Sequence, residues 1–141
     1  KFYFEIADSM LNREFMAITR FSKVAGGGGT YGGELANQVT LSWEKGPSNN
    51  VFLRVITLIS AADSTNDIYK AVRNSNVNPI AAAFDIKALS KDSSGVVIDV
   101  TEFFKGDNQV VSINPFIKRR FNVTVLAPDR SYISSIKAFP I

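Results

Sequence analysis

Neither cysteine nor histidine occurs in this chain of 141 residues. Their absence removes most site chemistry at once. Zinc is ordinarily held by Cys thiolate, His nitrogen and carboxylate ligands, and an all-carboxylate site would be unusual. A Ser or Cys nucleophile with a His base is excluded, as is the H-E-x-x-H helix of a metalloprotease. With no disulfide framework, the hydrophobic core must hold the fold alone. The redox compartment leaves no mark, because a cysteine-free domain works in oxidising and reducing spaces alike. Long apolar runs are missing too. The longest, Val51 to Ala62, is interrupted by Arg54 and falls well short of the roughly 18 residues of a membrane span. No signal peptide opens the chain. It begins on Lys1, goes straight into an alternating pattern, and closes at Phe139-Pro140-Ile141. It reads as a single β-rich domain, residues 1–141, cut from a longer polypeptide.

Charge of one sign is scarce as well. Residues 1–99 carry ten basic and ten acidic residues. The whole surplus of the +3 net charge lies beyond them, where Lys105, Lys118, Arg119, Arg120, Arg130 and Lys137 face Glu102, Asp107 and Asp129. A surplus this small does not imply nucleic acid.

What is present is strand pattern. Phe2, Phe4 and Ile6 alternate with Tyr3 and Glu5. A turn at Asp8-Ser9 and Asn12 leads to a second strand in Glu14 to Val24. A glycine-rich loop fills 26–33. Val39, Leu41 and Trp43 alternate with Thr40, Ser42 and Glu44, and Gly46 to Asn50 turns the chain into a strand over Val51 to Ile59, which makes a hairpin. Ser64 or Thr65 would cap a short helix placing Ile68, Ala71 and Val72 on one face. Further strands are predicted at Ile80 to Ala88, Val96 to Phe104 and Phe121 to Leu126. Ser131 to Phe139 fits either a strand or a short helix. The expected class is α+β: a mainly antiparallel β-sheet with one or two short helices. Its core would be led by Phe4, Ile6, Leu41, Trp43, Leu53, Val55, Phe84, Ile86, Val123 and Val125.

Five local features bear on function. Gly27, Gly29 and Gly32 fit G-x-G-x-x-G, but that fingerprint needs a helix after it, and a strand is predicted there. The bland reading is a flexible connection. Asp85, Asp99, Glu102 and Asp107 invite comparison with a glycosidase carboxylate pair. On a strand, Asp99 and Glu102 would point to opposite faces, so solvated or ion-paired carboxylates are the better reading. Asp63 and Asp67 do not have the spacing of a calcium loop. Lys118-Arg119-Arg120 between Phe116 and Phe121 is short for single-strand binding and suits contact with an acidic surface of another domain. Trp43, with Tyr3, Tyr31, Tyr69 and Tyr132, would suit a sugar platform, but Trp43 shares a face with Val39 and Leu41 and reads as core. No catalytic, cofactor-binding or metal-binding residue is assigned, and no cofactor is expected.

Several stretches together carry a family likeness. They are Lys1 to Ile6 with Asp8-Ser9-Met10-Leu11, Arg13-Glu14-Phe15, the glycine-rich loop with Tyr31-Gly32-Gly33-Glu34, and Val51-Phe52-Leu53-Arg54. Asn78-Pro79-Ile80 and Ala83 to Ile86 follow, then Val97 to Phe104 and Pro128 to Ile133. In that order they resemble the uncharacterised domain upstream of the catalytic domain in large bacterial zinc-dependent metalloproteases. The resemblance implies a periplasmic, outer-membrane-associated or secreted protein of a Gram-negative bacterium, with the catalytic zincin domain following in the same polypeptide. No position here matches that protease's zinc motif. The expected function is a non-catalytic accessory domain that packs on the protease domain or assists binding of a protein or peptide substrate. The alternative is an envelope-associated module that binds polysaccharide or protein.

Overall fold

The computed structural model describes residues 1–24, 26, 29–57 and 77–139. Six strands, β1 (Tyr3–Ala7), β2 (Glu14–Arg20), β3 (Leu35–Lys45), β4 (Asn50–Val55), β5 (Ile80–Leu89) and β6 (Gly95–Asp99), form one antiparallel sheet in the order β1-β6-β5-β4-β3-β2. Two short helices follow, α1 (Thr101–Lys105) and α2 (Pro115–Arg120).

The first two strands lie at opposite edges of the sheet although only Asp8 to Arg13 join them. In a flat six-stranded sheet those edges would stand about 24 Å apart at ~4.8 Å per strand. The link cannot comfortably cross that, since it opens with a tight 3₁₀ turn at Asp8–Met10. The sheet therefore curls into a half-barrel. β5 makes the bend: Ile80 to Asp85 pair with β4, and Ile86 to Leu89 pair with β6. Register shifts at Leu53/Arg54 and Ile86/Ala88 flank the handover, as expected where a strand bends.

The concave side holds the core. Ile6, Leu41, Trp43, Val51, Leu53, Phe84, Val96, Ile98, Val100 and Val110 are buried in one cluster, with Phe4, Val55 and Ile86 packed against it. Six aromatic rings run across it as a chain. Phe15 stacks on Trp43 (5.8 Å between centroids), Trp43 meets Phe84 edge-on (6.0 Å), Phe84 meets Phe103 (5.4 Å), Phe103 meets Phe104 (5.7 Å), and Phe104 meets Phe4 (5.2 Å). The chain links both edge strands through α1, which plugs the open side of the half-barrel.

Helix α1 replaces the predicted strand over Val100 to Phe104. The Asp99 carboxylate accepts from the Thr101 amide (3.0 Å), which turns the backbone out of the strand. Phe103 and Phe104 then both reach the core, which adjacent strand residues cannot do. The fold is thus largely β, with less helix than an α+β class implies. The predicted strand at Phe121 to Leu126 is absent as well. Asn122 is left-handed (φ 52°), its amide donates to the Arg119 carbonyl (3.1 Å), and the Val123 amide donates to the Lys118 carbonyl (3.0 Å). This is a Schellman ending, so residues expected to start a strand instead finish α2. Val123 and Val125, expected in the core, are 41% and 84% exposed. Ser131 to Phe139 forms neither strand nor helix. The helix expected after Ser64 or Thr65, and the end of the strand predicted to reach Ile59, lie outside the described residues.

Candidate functional site

The sequence candidates do not converge. Gly29 and Gly32 sit in a connection followed by β3, not by a helix, and Gly27 lies outside the described residues. Trp43 is buried between Phe15 and Phe84 and offers no ring to a sugar. Lys118, Arg119 and Arg120 end α2, where cations complement the helix dipole. Lys118 forms a two-oxygen ion pair with Asp107 (2.7 and 2.9 Å), and Arg120 lies over the Phe121 ring and reaches the Gly29 carbonyl.

Each carboxylate with a perturbed pKa is depressed, the opposite of a general acid held protonated. Asp92 falls to about 2, first because the Ser94 hydroxyl and amide donate to it and then because Ser90 does. Asp99 is lowered by the Thr101 hydroxyl and amide. Asp107 is lowered by Lys118 and Ser112. These are turn, helix-start and ion-pair geometries, and none of the shifts comes from another carboxylate. Asp85 pairs only loosely with Lys87 (3.5 Å) on the exposed face of β5. No group of three metal-ligating side chains occurs among the described residues.

Two surface grooves are lined by the described residues. The first, about 340 Å³, is lined by Asn37, Asp107, Asn108, Ser112, Asn114 and Lys118, among others. Its polar groups serve the fold. Asn37 on β3 donates to the carbonyls of Gln109 (3.0 Å) and Val110 (3.3 Å). Asn108 accepts from the amides of Val110 and Val111 and donates to the Phe103 carbonyl (2.7 Å). Asn114 accepts from the Ile117 amide (2.9 Å) as the cap of α2 and donates to the Ala36 carbonyl (3.2 Å). This network latches residues 107–120 to β3.

The second groove is larger, about 600 Å³. Phe2 and the end of α1 (Glu102, Lys105) form one side; Leu126, Pro128 and Ser131 to Ile133 form the other. It opens next to Phe2, the residue that leads into β1, whose outer edge has no strand partner among the described residues. Here the Val100 amide donates to the Phe2 carbonyl and the Asp8 amide to the Ser94 carbonyl. Antiparallel alternation then turns the backbone groups of Phe4 and Ile6 toward β6 and those of Tyr3, Glu5 and Ala7 outward. Two sequence candidates, Glu102 and Tyr132, line this groove, but neither pointed to the edge of β1, because an edge is a property of strand order. The alternation in residues 2–7 was the only signal of it.

The family described as Domain of unknown function (DUF5117) matches residues 33–141. The chain belongs to that family. Residues 1–24 are similar to a second one, Domain of unknown function (DUF5118). The two matches meet in the glycine-rich loop, yet the sheet runs across their boundary: residues 1–24 supply both of its edge strands. No curated protein and no solved structure matches the chain.

Proposed function

We propose that this DUF5117 domain is a non-catalytic accessory module of a zinc-dependent metallopeptidase. It docks on the catalytic domain of the same polypeptide through the exposed apolar side chains of residues 116–139, not through the half-buried Leu126 and Ile133 that line the groove, and shares that protein's periplasmic, outer-membrane-associated or secreted location. One observation carries the docking: large apolar side chains left in solvent concentrate in this segment. Phe116, Val123, Val125, Tyr132 and Phe139 are exposed, the last three by more than four fifths. The half-barrel core is already closed without them. A cluster of exposed apolar groups marks a surface that another domain covers. The basic end of α2 lies within the same segment and suits an acidic patch on that domain. Zinc and its ligands belong to the catalytic domain, since this chain has neither His nor Cys.

Amide hydrogen exchange tests the docking. Exchange of residues 121–139 should slow markedly when the 141-residue chain is compared with the parent polypeptide. Equal rates in the two would rule out this surface. The chain alone should also cleave no peptide, with or without added zinc; metal-dependent cleavage by a clean sample would overturn its non-catalytic assignment.

A further inference from the structure

We infer that the outer edge of β1, with the groove beside it, captures an extended peptide segment as a seventh strand. The inference goes beyond the accessory role and does not depend on the class of the parent enzyme.

The edge has what strand addition requires. Tyr3, Glu5 and Ala7 turn their amide and carbonyl groups away from β6, and β1 has no other strand partner among the described residues. An unpaired row of this kind templates a further strand through main-chain hydrogen bonds, while alternate side chains supply selectivity. Phe2, Phe4 and Ile6 share the concave face of β1. Alternate side chains of an added strand would therefore point to that side, and at the Phe2 end of β1 they would meet the groove that Leu126 and Ile133 also line. The far wall is extended chain with main-chain groups to spare: among the described residues, 131–139 make no backbone–backbone hydrogen bond.

Charge decides which peptide fits. Glu5 stands exposed at the centre of β1, and Asp99, opposite Tyr3, shares its face. Two copies of β1 paired about their centre would set Glu5 against Glu5, and like charges directly opposite destabilise a pair. The edge thus disfavours a second copy of itself. It favours a segment with a basic residue opposite Glu5 and aliphatic residues at alternate positions facing the groove.

The probe is a fluorescein-labelled, N-acetylated peptide, Lys-Thr-Val-Lys-Val-Thr-Val, titrated into the 141-residue chain by fluorescence anisotropy. Saturable binding is expected, with slowed exchange of the Tyr3, Glu5 and Ala7 amides. Replacing the central lysine by proline should abolish binding, and replacing it by glutamate should weaken it at least tenfold. Glu5→Pro removes only an outward amide, a position where an edge strand tolerates proline, and should lose binding while β1 stays paired to β6. Ile133→Glu, outside the sheet, should weaken binding at least fivefold and covers the case in which Glu5→Pro does not fold. The inference is overturned by no binding at 1 mM peptide, by protection at β2 in place of β1, by a dimer that protects these amides without peptide, or by unchanged affinity in Ile133→Glu.

Discussion

Phe84 is the third of the six rings in the aromatic chain, and removing it should uncouple the two halves of the half-barrel. It touches Trp43 on the β3 side and Phe103 on the α1 side, both edge-on, and is itself buried. Truncating a buried Phe to Ala costs about 3–5 kcal/mol in lost transfer energy and cavity. In a chain of this length that corresponds to a fall in Tm of roughly 10–17 °C. Phe84→Leu retains most of the apolar volume but loses both ring pairs. At about 0.5–1.5 kcal/mol per pair it should cost about 1–3 kcal/mol. The assay reports on the same place, because Trp43 is the single tryptophan of the chain. Urea unfolding followed by Trp43 emission gives the free energies, and the folded-state emission should shift to the red in Phe84→Ala. Phe116→Ala, at an exposed ring, should stay within about 0.5 kcal/mol of the parent chain. A Phe84→Ala loss below about 1 kcal/mol, or Phe84→Leu behaving like Phe116→Ala, would refute the ring chain as the element that joins the edges.

Asn37→Leu strands the Gln109 and Val110 carbonyls. It should cost about 1–3 kcal/mol by urea unfolding, with faster exchange concentrated in residues 107–120. Asn114→Ala removes the cap of α2 and the side-chain bond to the Ala36 carbonyl, which keeps its bond from the Asn114 backbone amide. It should cost about 1 kcal/mol, and Asn114→Asp, which keeps the cap, should recover most of that. Asp92 is ionised more readily in the fold than in the unfolded chain, so its contribution is present above its ordinary pKa of 3.8 and is lost as pH falls toward about 2. Unfolding midpoints measured from pH 5 to pH 2 should therefore fall less steeply in Asp92→Asn than in the parent chain; parallel curves would remove Asp92 from the acid response.

Much of the sheet was legible because β-strands with one buried face alternate with period two. Phe2-Phe4-Ile6, Val39-Leu41-Trp43 and Ile80 to Ala88 mark β1, β3 and β5, and Gly46 to Asn50 marks the hairpin turn between β3 and β4. The errors lie where local hydrogen bonds overrode that period. Asp99 turned the chain into α1, and the adjacent pair Phe103-Phe104 was the missed signal, because two neighbouring rings reach one core only from a helix. Val123 and Val125 alternate like a strand, but Asn122 is committed to ending α2. Strand order was legible only in part: β3 and β4 pair as the hairpin predicted and β2 to β6 follow one another across the sheet, but the place of β1 beside β6 was not legible. Placing β1 and β2 at opposite edges depends on which backbones meet, and neighbouring strands in sequence usually pair. The free edge beside the groove follows from that order, so it could not be read from residue types.

On the proposed function, the chemistry lies in sequence outside these residues and the support in the residues themselves. The most direct measurement is the amino-acid sequence of the parent polypeptide beyond residue 141. It should contain H-E-x-x-H on a predicted helix, with a third metal-ligating residue downstream. A parent polypeptide with no such motif anywhere would contradict the metallopeptidase assignment.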